Sequence, residues 1–242
     1  MRVPFLLRGS QPVPFSRPLL ISFSGLDGAG KSTQIEATVS LLERLGLKVR
    51  RLAFWDDVVV LTRYREGAVH RLYKSERGVG APGKPVARRD KNMRAWYLTL
   101  VRHVLYWLDA WNLRRVIARQ KRMGVEVVVM DRYLYDELAN LPLDNALSRA
   151  FFWLMIGLAP TPDLALLLDA DPEVARARKP EYPVEFMREC RRWYYRIAGL
   201  LGAMVVIPPL PLAETTQQIA AALRRTLIAA TEGEAQRLPK SA

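Results

Sequence analysis

Cysteine is almost missing: Cys190 is the only one in 242 residues. An intramolecular disulfide is therefore excluded, and a reducing compartment such as the cytoplasm is the expected setting. The lone thiol reads as a small, partly buried residue on a helix. Long apolar runs are missing too. The longest uncharged one, Ala150–Pro160, falls far short of the roughly 20 residues that span a bilayer. The apolar patch Val3–Leu7, broken by Pro4, is too short for a signal-peptide core. No membrane partner is expected, and residues 1–17 read as a flexible basic leader. Internal repeats and inter-domain linkers are absent, so residues 18–231 read as one domain, followed by a polar tail over 232–242.

Carboxylates are scarce as well: 24 Asp and Glu against 37 Lys and Arg, a formal net charge of +13. Such an excess suits a polyanionic partner, either nucleic acid or phosphorylated small molecules. A basic surface with no specific partner fits the same number. Between Arg63 and Arg94 ten cations stand against three carboxylates. Within that segment the Gly- and Pro-rich stretch 75–92 reads as a loop. No recognised nucleic-acid motif accompanies the charge, so a small-molecule partner is expected ahead of nucleic acid.

Hydrophobic residues make up 50% of the chain, ample for a core. Leu19–Ser24, Lys48–Phe54, Val125–Met130, Leu164–Leu168 and Met204–Ile207 are short apolar or β-branched runs, which predicts five strands. Helices are predicted between and after them, over 32–45, 93–119, 141–158, 172–178, 184–201 and 213–230. On the longest, Met93, Tyr97, Leu100, Val104, Trp107 and Trp111 read as the main apolar face, with Leu98, Val101, Leu105 and Leu108 outside it. Buried strands alternating with helices predict an α/β fold of three layers, a five-stranded parallel sheet with helices on both faces.

The chemistry begins in Gly25-Leu26-Asp27-Gly28-Ala29-Gly30-Lys31-Ser32, which fits G-x-x-x-x-G-K-[ST] without a gap. Glycines let backbone N–H groups turn inward around anionic oxygens. A helix beginning near Lys31 adds the positive end of its dipole. The run Gly25–Thr33 is thus expected to bind ATP, with Lys31 on the β- and γ-phosphates and Ser32 on Mg²⁺. A second element, Asp131-Arg132-Tyr133, follows a β-branched strand, where residues past strand ends line the active crevice of a parallel sheet. Asp131 can sit near Mg²⁺ there and Arg132 can face an anion; an ordinary strand-end ion pair fits the triplet equally. In the third element, strand residues lead to Asp169, then Asp171-Pro172, a helix, and Arg176, Arg178 and Lys179 before a turn with Pro180 and Pro183. A solvated charged face is the alternative there.

In order and spacing these three blocks resemble the thymidylate kinase family, over about Leu19 to Ala230. The resemblance implies a P-loop kinase fold with a short basic lid at about 176–184. It implies transfer of the γ-phosphoryl group of MgATP to a nucleoside monophosphate, with dTMP as the default acceptor. Catalytic roles fall to Asp27, Lys31, Arg132, Arg176 and Arg178, since members with glycine at the Gly28 position tend to carry their arginines in the lid. Acceptor contacts fall to Phe54, Asp56, Asp57, Tyr106, Asp131, Arg132 and Tyr182, and metal contacts to Ser32 and Asp131. Relatives are commonly dimers packed through helices, and the apolar residues off the main face of the long helix, with Phe151–Leu154, predict a homodimer.

The acceptor side departs from the family pattern. Where an arginine is usual after the second strand, this chain has Phe54-Trp55-Asp56-Asp57. Four residues beyond Tyr106, where the family commonly carries a base-directed arginine, stands Ala110. Two other readings stay open. Asp56 or Asp57 as a general base would suit a hydroxyl acceptor such as a deoxynucleoside. A nucleotide-binding protein docking nucleic acid through 63–94 would show salt-dependent binding.

Overall fold

In the computed structural model, residues 15–62, 96–139 and 141–237 are described, with the backbone alone at 96–100 and 234–237. The leader up to residue 14, the basic segment with its 75–92 loop, and Met93 lie outside the described residues. So do residues 238–242 of the tail.

Pro18 and the glycines after Ser24 bound β1 (Leu19–Gly25), and the phosphate-loop sequence passes directly into α1 (Lys31–Arg44). Then come β2 (Val49–Ala53), a π-helical turn over Phe54–Val58, and the long α2 (Trp96–Arg122). The chain continues through β3 (Val127–Asp131), α3 (Leu134–Leu138), α4 (Ala146–Leu158), β4 (Leu164–Leu168) and α5 (Pro172–Arg178). It closes with α6 (Val184–Leu201), β5 (Met204–Ile207) and α7 (Leu212–Arg237). The five strands form one sheet in the order β2-β3-β1-β4-β5, and every pairing is parallel.

The period-2 alternation of strand side chains feeds two cores, one on each face. Ile21, Phe23, Val127, Val129 and Leu166 pack with Ile35 and Leu42 of α1 and Ile219 and Leu223 of α7. Leu20, Leu52, Val128, Met130 and Leu167 pack with α2, α3, α4 and α6. Because both faces are covered, β1 is buried along its whole length, which is why it reads as a continuous apolar run. This is the expected five-stranded, three-layer α/β fold of P-loop type. Gly25, Asp131 and Leu168, the last residues of β1, β3 and β4, lie at the same end of the sheet, where the crevice of such a fold opens. Among the described residues no helix is long and apolar enough to cross a membrane.

Three local expectations are corrected. The helix expected from residue 141 starts at Ala146, because Asn145 caps it by accepting the Ser148 N–H at 2.7 Å; the short α3 before it was not expected. The last helix continues past Ala230 to Arg237, since Glu, Ala, Gln and Arg favour helix and no proline intervenes. The face of α2 is reversed. Tyr106, Asp109, Ala110 and Leu113 are buried, while Val104, Trp107 and Trp111 are 46–52% exposed. Two polar anchors set that rotation: Asp109 accepts the Val60 N–H at 2.9 Å, and Asn112 Nδ2 donates to the Val58 carbonyl at 2.7 Å.

Candidate active site

The loop after β1 is shaped by two close approaches. A Cβ at Gly25 would lie 2.3 Å from the Leu168 carbonyl oxygen of β4, and one at Gly28 would lie 2.3 Å from the Ala175 carbonyl oxygen of α5. Both glycines have positive φ, 138° and 86°, so any side chain is excluded by strain as well as by space. Leu26 is buried in the core and Ala29 packs beside it. Gly30 N-caps α1 in the left-handed region, with no side chain accepting from the helix and no acidic residue in the first turn. Among the described residues no side chain caps the first N–H groups of α1, and its positive dipole end at the loop suits an anionic ligand such as a polyphosphate. The residues present fit that group.

Lys31 is only 7% exposed, and its Nζ donates to the Gly25 carbonyl at 2.8 Å and the Leu26 carbonyl at 2.7 Å. Its ammonium also lies 3.8 Å from Asp27. Burial, with the positive charge of Arg132 added, pushes its pKa down to about 8 against the pull of Asp27 and Asp136. Ser32 and Thr33 are exposed at the start of α1. Asp131 is half-buried, and its Oδ2 lies 3.1 Å from Nη2 of Arg51 on β2. Among the described residues no three His, Cys, Asp or Glu side chains form a metal-holding group.

Arg132 is the hub of the site. It leaves β3 with φ +65°, and its N–H donates to the Phe23 carbonyl at 2.9 Å. Its Nη2 is ion-paired with Asp27 of the loop, and its Nη1 lies 3.2 Å from Oδ1 of Asp136. Burial opposes the charge on Arg132, but Tyr194, Asp136 and Asp27 outweigh it and raise its pKa above the ordinary arginine value. Burial would also raise the Asp27 carboxyl; Arg132, Lys31 and Lys179 hold it below the usual value instead.

The other expected residues fall into place unevenly. Arg176 and Arg178 are exposed in the last turn of α5, directly after the Ala175 carbonyl that touches the loop. Lys179, whose charge reaches Asp27, follows them and pairs with Glu181 at 3.1 Å. Tyr182 is half-buried, its ring 5.5 Å from Phe186. Phe54 is fully buried, its ring 6.5 Å from that of Tyr133. Asp56 is exposed, whereas Oδ2 of Asp57 accepts the Ala53 N–H at 2.7 Å and so secures the π turn. Tyr106 and Ala110 are both in the core.

Sequence reading missed Asp136, Ser24, Tyr194 and Arg51. Only Asp136 carried a signal, its i+4 spacing from Arg132. It also missed the clamp at the end of β4, where buried Asp169 accepts from Arg191 at 2.7 and 2.5 Å and from Tyr195 at 2.9 Å.

No protein-family model matches the chain. A thymidylate kinase of Xanthomonas campestris pv. campestris (strain B100) is 32% identical over 165 residues, 66% of this chain and 60% of that protein. A probable thymidylate kinase of Archaeoglobus fulgidus is 27% identical over 208 residues, 83% of this chain and 92% of its own. One from Pyrobaculum aerophilum is 27% identical over 216 residues, 86% and 97% of the two chains. These relatives support a thymidylate-kinase-like family. The chain thus spans 60% of the length of the Xanthomonas protein and nearly all of the archaeal ones.

Proposed function

We propose that the chain transfers the γ-phosphoryl group of ATP to a nucleoside monophosphate, dTMP, in the cytoplasm. The observation that carries this reading is the Asp27–Arg132–Asp136 cluster seated on the phosphate loop, in a chain whose relatives are named thymidylate kinases. Gly25–Thr33 would hold the ATP phosphates, with Lys31 turning from its loop carbonyls to the β- and γ-oxygens. Ser32 and Asp131 would hold Mg²⁺, a hard cation that commonly takes one or two carboxylates and otherwise water and phosphate oxygens. Bound there, the ion would neutralise charge on the transferring phosphate. For Asp131 to take part, Arg51 has to release it.

The acceptor phosphate is already anionic near neutral pH, so the protein has no proton to remove. Its work is positioning and charge neutralisation. Arg132 would face the acceptor phosphate. Arg176 and Arg178 would close over the transferring group from α5 and shut out water. Phe54, Tyr106, Asp56, Asp57 and Tyr182 would shape the acceptor side. Because Asp57 is bound to the Ala53 N–H, a general-base role at that residue is the less favoured reading. We further propose a homodimer through the exposed face of α2.

ADP release measured with purified protein, MgATP and either dTMP or thymidine tests the assignment. Turnover with dTMP and none with thymidine is expected; turnover of thymidine alone would overturn it.

A further inference from the structure

Asp136 is buried at the start of a five-residue helix, yet its carboxylate meets four donors from three separate parts of the chain. Oδ2 accepts from Ser24 Oγ at 2.7 Å and from the Tyr133 N–H at 3.0 Å. Oδ1 accepts from Tyr194 Oη at 2.6 Å and from Arg132 Nη1 at 3.2 Å. Ser24 is the residue before the first glycine of the phosphate loop, and Tyr194 belongs to α6, the helix that follows the basic turn. Tyr194 Oη also lies 3.4 Å from Arg132 Nη1, so Arg132, Asp136 and Tyr194 form a closed triangle.

We propose that Asp136 is a positioning residue that fixes the guanidinium of Arg132 toward the phosphate loop and, through Tyr194, ties that orientation to α6. The acceptor part of this inference rests on the function proposed above.

Three features support it. First, a guanidinium has five N–H donors in a rigid fork. The contacts to Asp136, Tyr194 and Asp27 occupy three, leaving others for an incoming anion. Second, the backbone at Arg132 adopts the left-handed conformation that residues with a Cβ disfavour, and it precedes the turn that brings Asp136 to the guanidinium. Third, the Asp27 contact alone cannot hold the fork: Asp27 sits in the loop that receives phosphate, and an incoming anion competes with it for Arg132. Asp136 lies behind the guanidinium, buried, and keeps its grip when that exchange occurs. A carboxylate shared by four donors in a low-dielectric site is a stiff anchor. Because α6 is also clamped to the end of β4 through Arg191 and Asp169, a displacement of α6 reaches Arg132 through a single hydroxyl.

The test uses the full chain with Tyr194→Phe and Asp136→Asn. Thermal unfolding comes first, and Tyr194→Phe, which keeps the ring, carries the test if Asp136→Asn fails to fold. Two readouts follow. One is the Arg132 side-chain Nε–H resonance, assigned by its loss in Arg132→Lys. The other is the calorimetric affinity for dTMP and for MgATP, measured separately. Loss of one bond to a charged partner should weaken dTMP binding about tenfold. Binding of MgATP, whose phosphates are proposed to meet the loop amides and Lys31 more than the Arg132 fork, should weaken less than binding of dTMP. The Arg132 resonance should move or broaden in both variants. A folded Tyr194→Phe protein with an unmoved Arg132 resonance and unchanged dTMP affinity would overturn the proposal. If the wild-type chain binds no dTMP, the assigned acceptor fails, and the resonance alone decides: moved, it supports the positioning role; unmoved, it ends it.

Discussion

Lys31 combines a charge, a buried position and two backbone carbonyl partners, and its titration is a direct readout of that setting. Its pKa falls from 10.5 to about 8 in the folded protein. Between these two values the unfolded chain keeps a proton that the folded chain has released. Stability attributable to Lys31 therefore rises with pH across that window, by at most roughly 3 kcal/mol. Urea unfolding at pH 7.5 and pH 10 should show this gain in the wild type and not in Lys31→Met. The same residue gives the proposed site a pH signature. A polyphosphate favours the protonated amine, so MgATP binding should weaken above pH 8 and take up a proton there, which calorimetry in buffers of different ionisation enthalpy detects. Residues of this kind were legible in the sequence because the loop motif names them at fixed spacing. Asp136 and Tyr194 were not, since Tyr194 stands 58 residues from its carboxylate partner and Ser24 112; nothing local marks those distances.

At the scale of elements, legibility followed the strength of local punctuation. β4, α5, α6 and β5 begin and end where Pro162, Pro172, Pro183, Gly202 and Pro208 fix them. The face of α2 resisted because apolar residues surround it: Val101, Val104, Leu105, Trp107, Leu108 and Trp111 do not select one side. Tertiary bonds to the π turn settled the rotation. The outcome changes which residues of α2 are open to a partner. Trp107 and Trp111 stack at 6.3 Å with planes 17° apart on the exposed side, Val101 and Val104 are half exposed beside them, and the neighbouring α4 exposes Leu147 and Leu154. If copies of the chain meet there, Trp107→Glu with Trp111→Glu should convert a dimer to a monomer in sedimentation velocity. Because both side chains are half exposed, the unfolding midpoint measured at low protein concentration should change by no more than about 0.5 kcal/mol equivalent. A wild-type chain already monomeric at tens of micromolar would refute the arrangement.

For the molecule as a whole, a net charge of +13 sets a field in which every phosphorylated ligand arrives by attraction. Raising ionic strength should therefore raise the KM for dTMP and for MgATP more than it lowers kcat, because screening acts on encounter and binding before it acts on the buried Lys31. Initial rates at 50 and 500 mM KCl separate the two effects. The five-stranded parallel sheet was legible at this scale, since buried strands alternating with helices impose their own pattern, whereas its strand order was not. The tertiary setting of Phe54 and Tyr106 was not legible either, because their burial is decided by packing against distant elements. The meeting of Gly28 with the Ala175 carbonyl carries one more implication. Loop and helix occupy each other's space down to the backbone, so this scaffold has no vacancy at that position for a long cationic side chain. Recharging the loop at Gly28 would therefore be a two-step redesign, with α5 moved before any side chain is introduced.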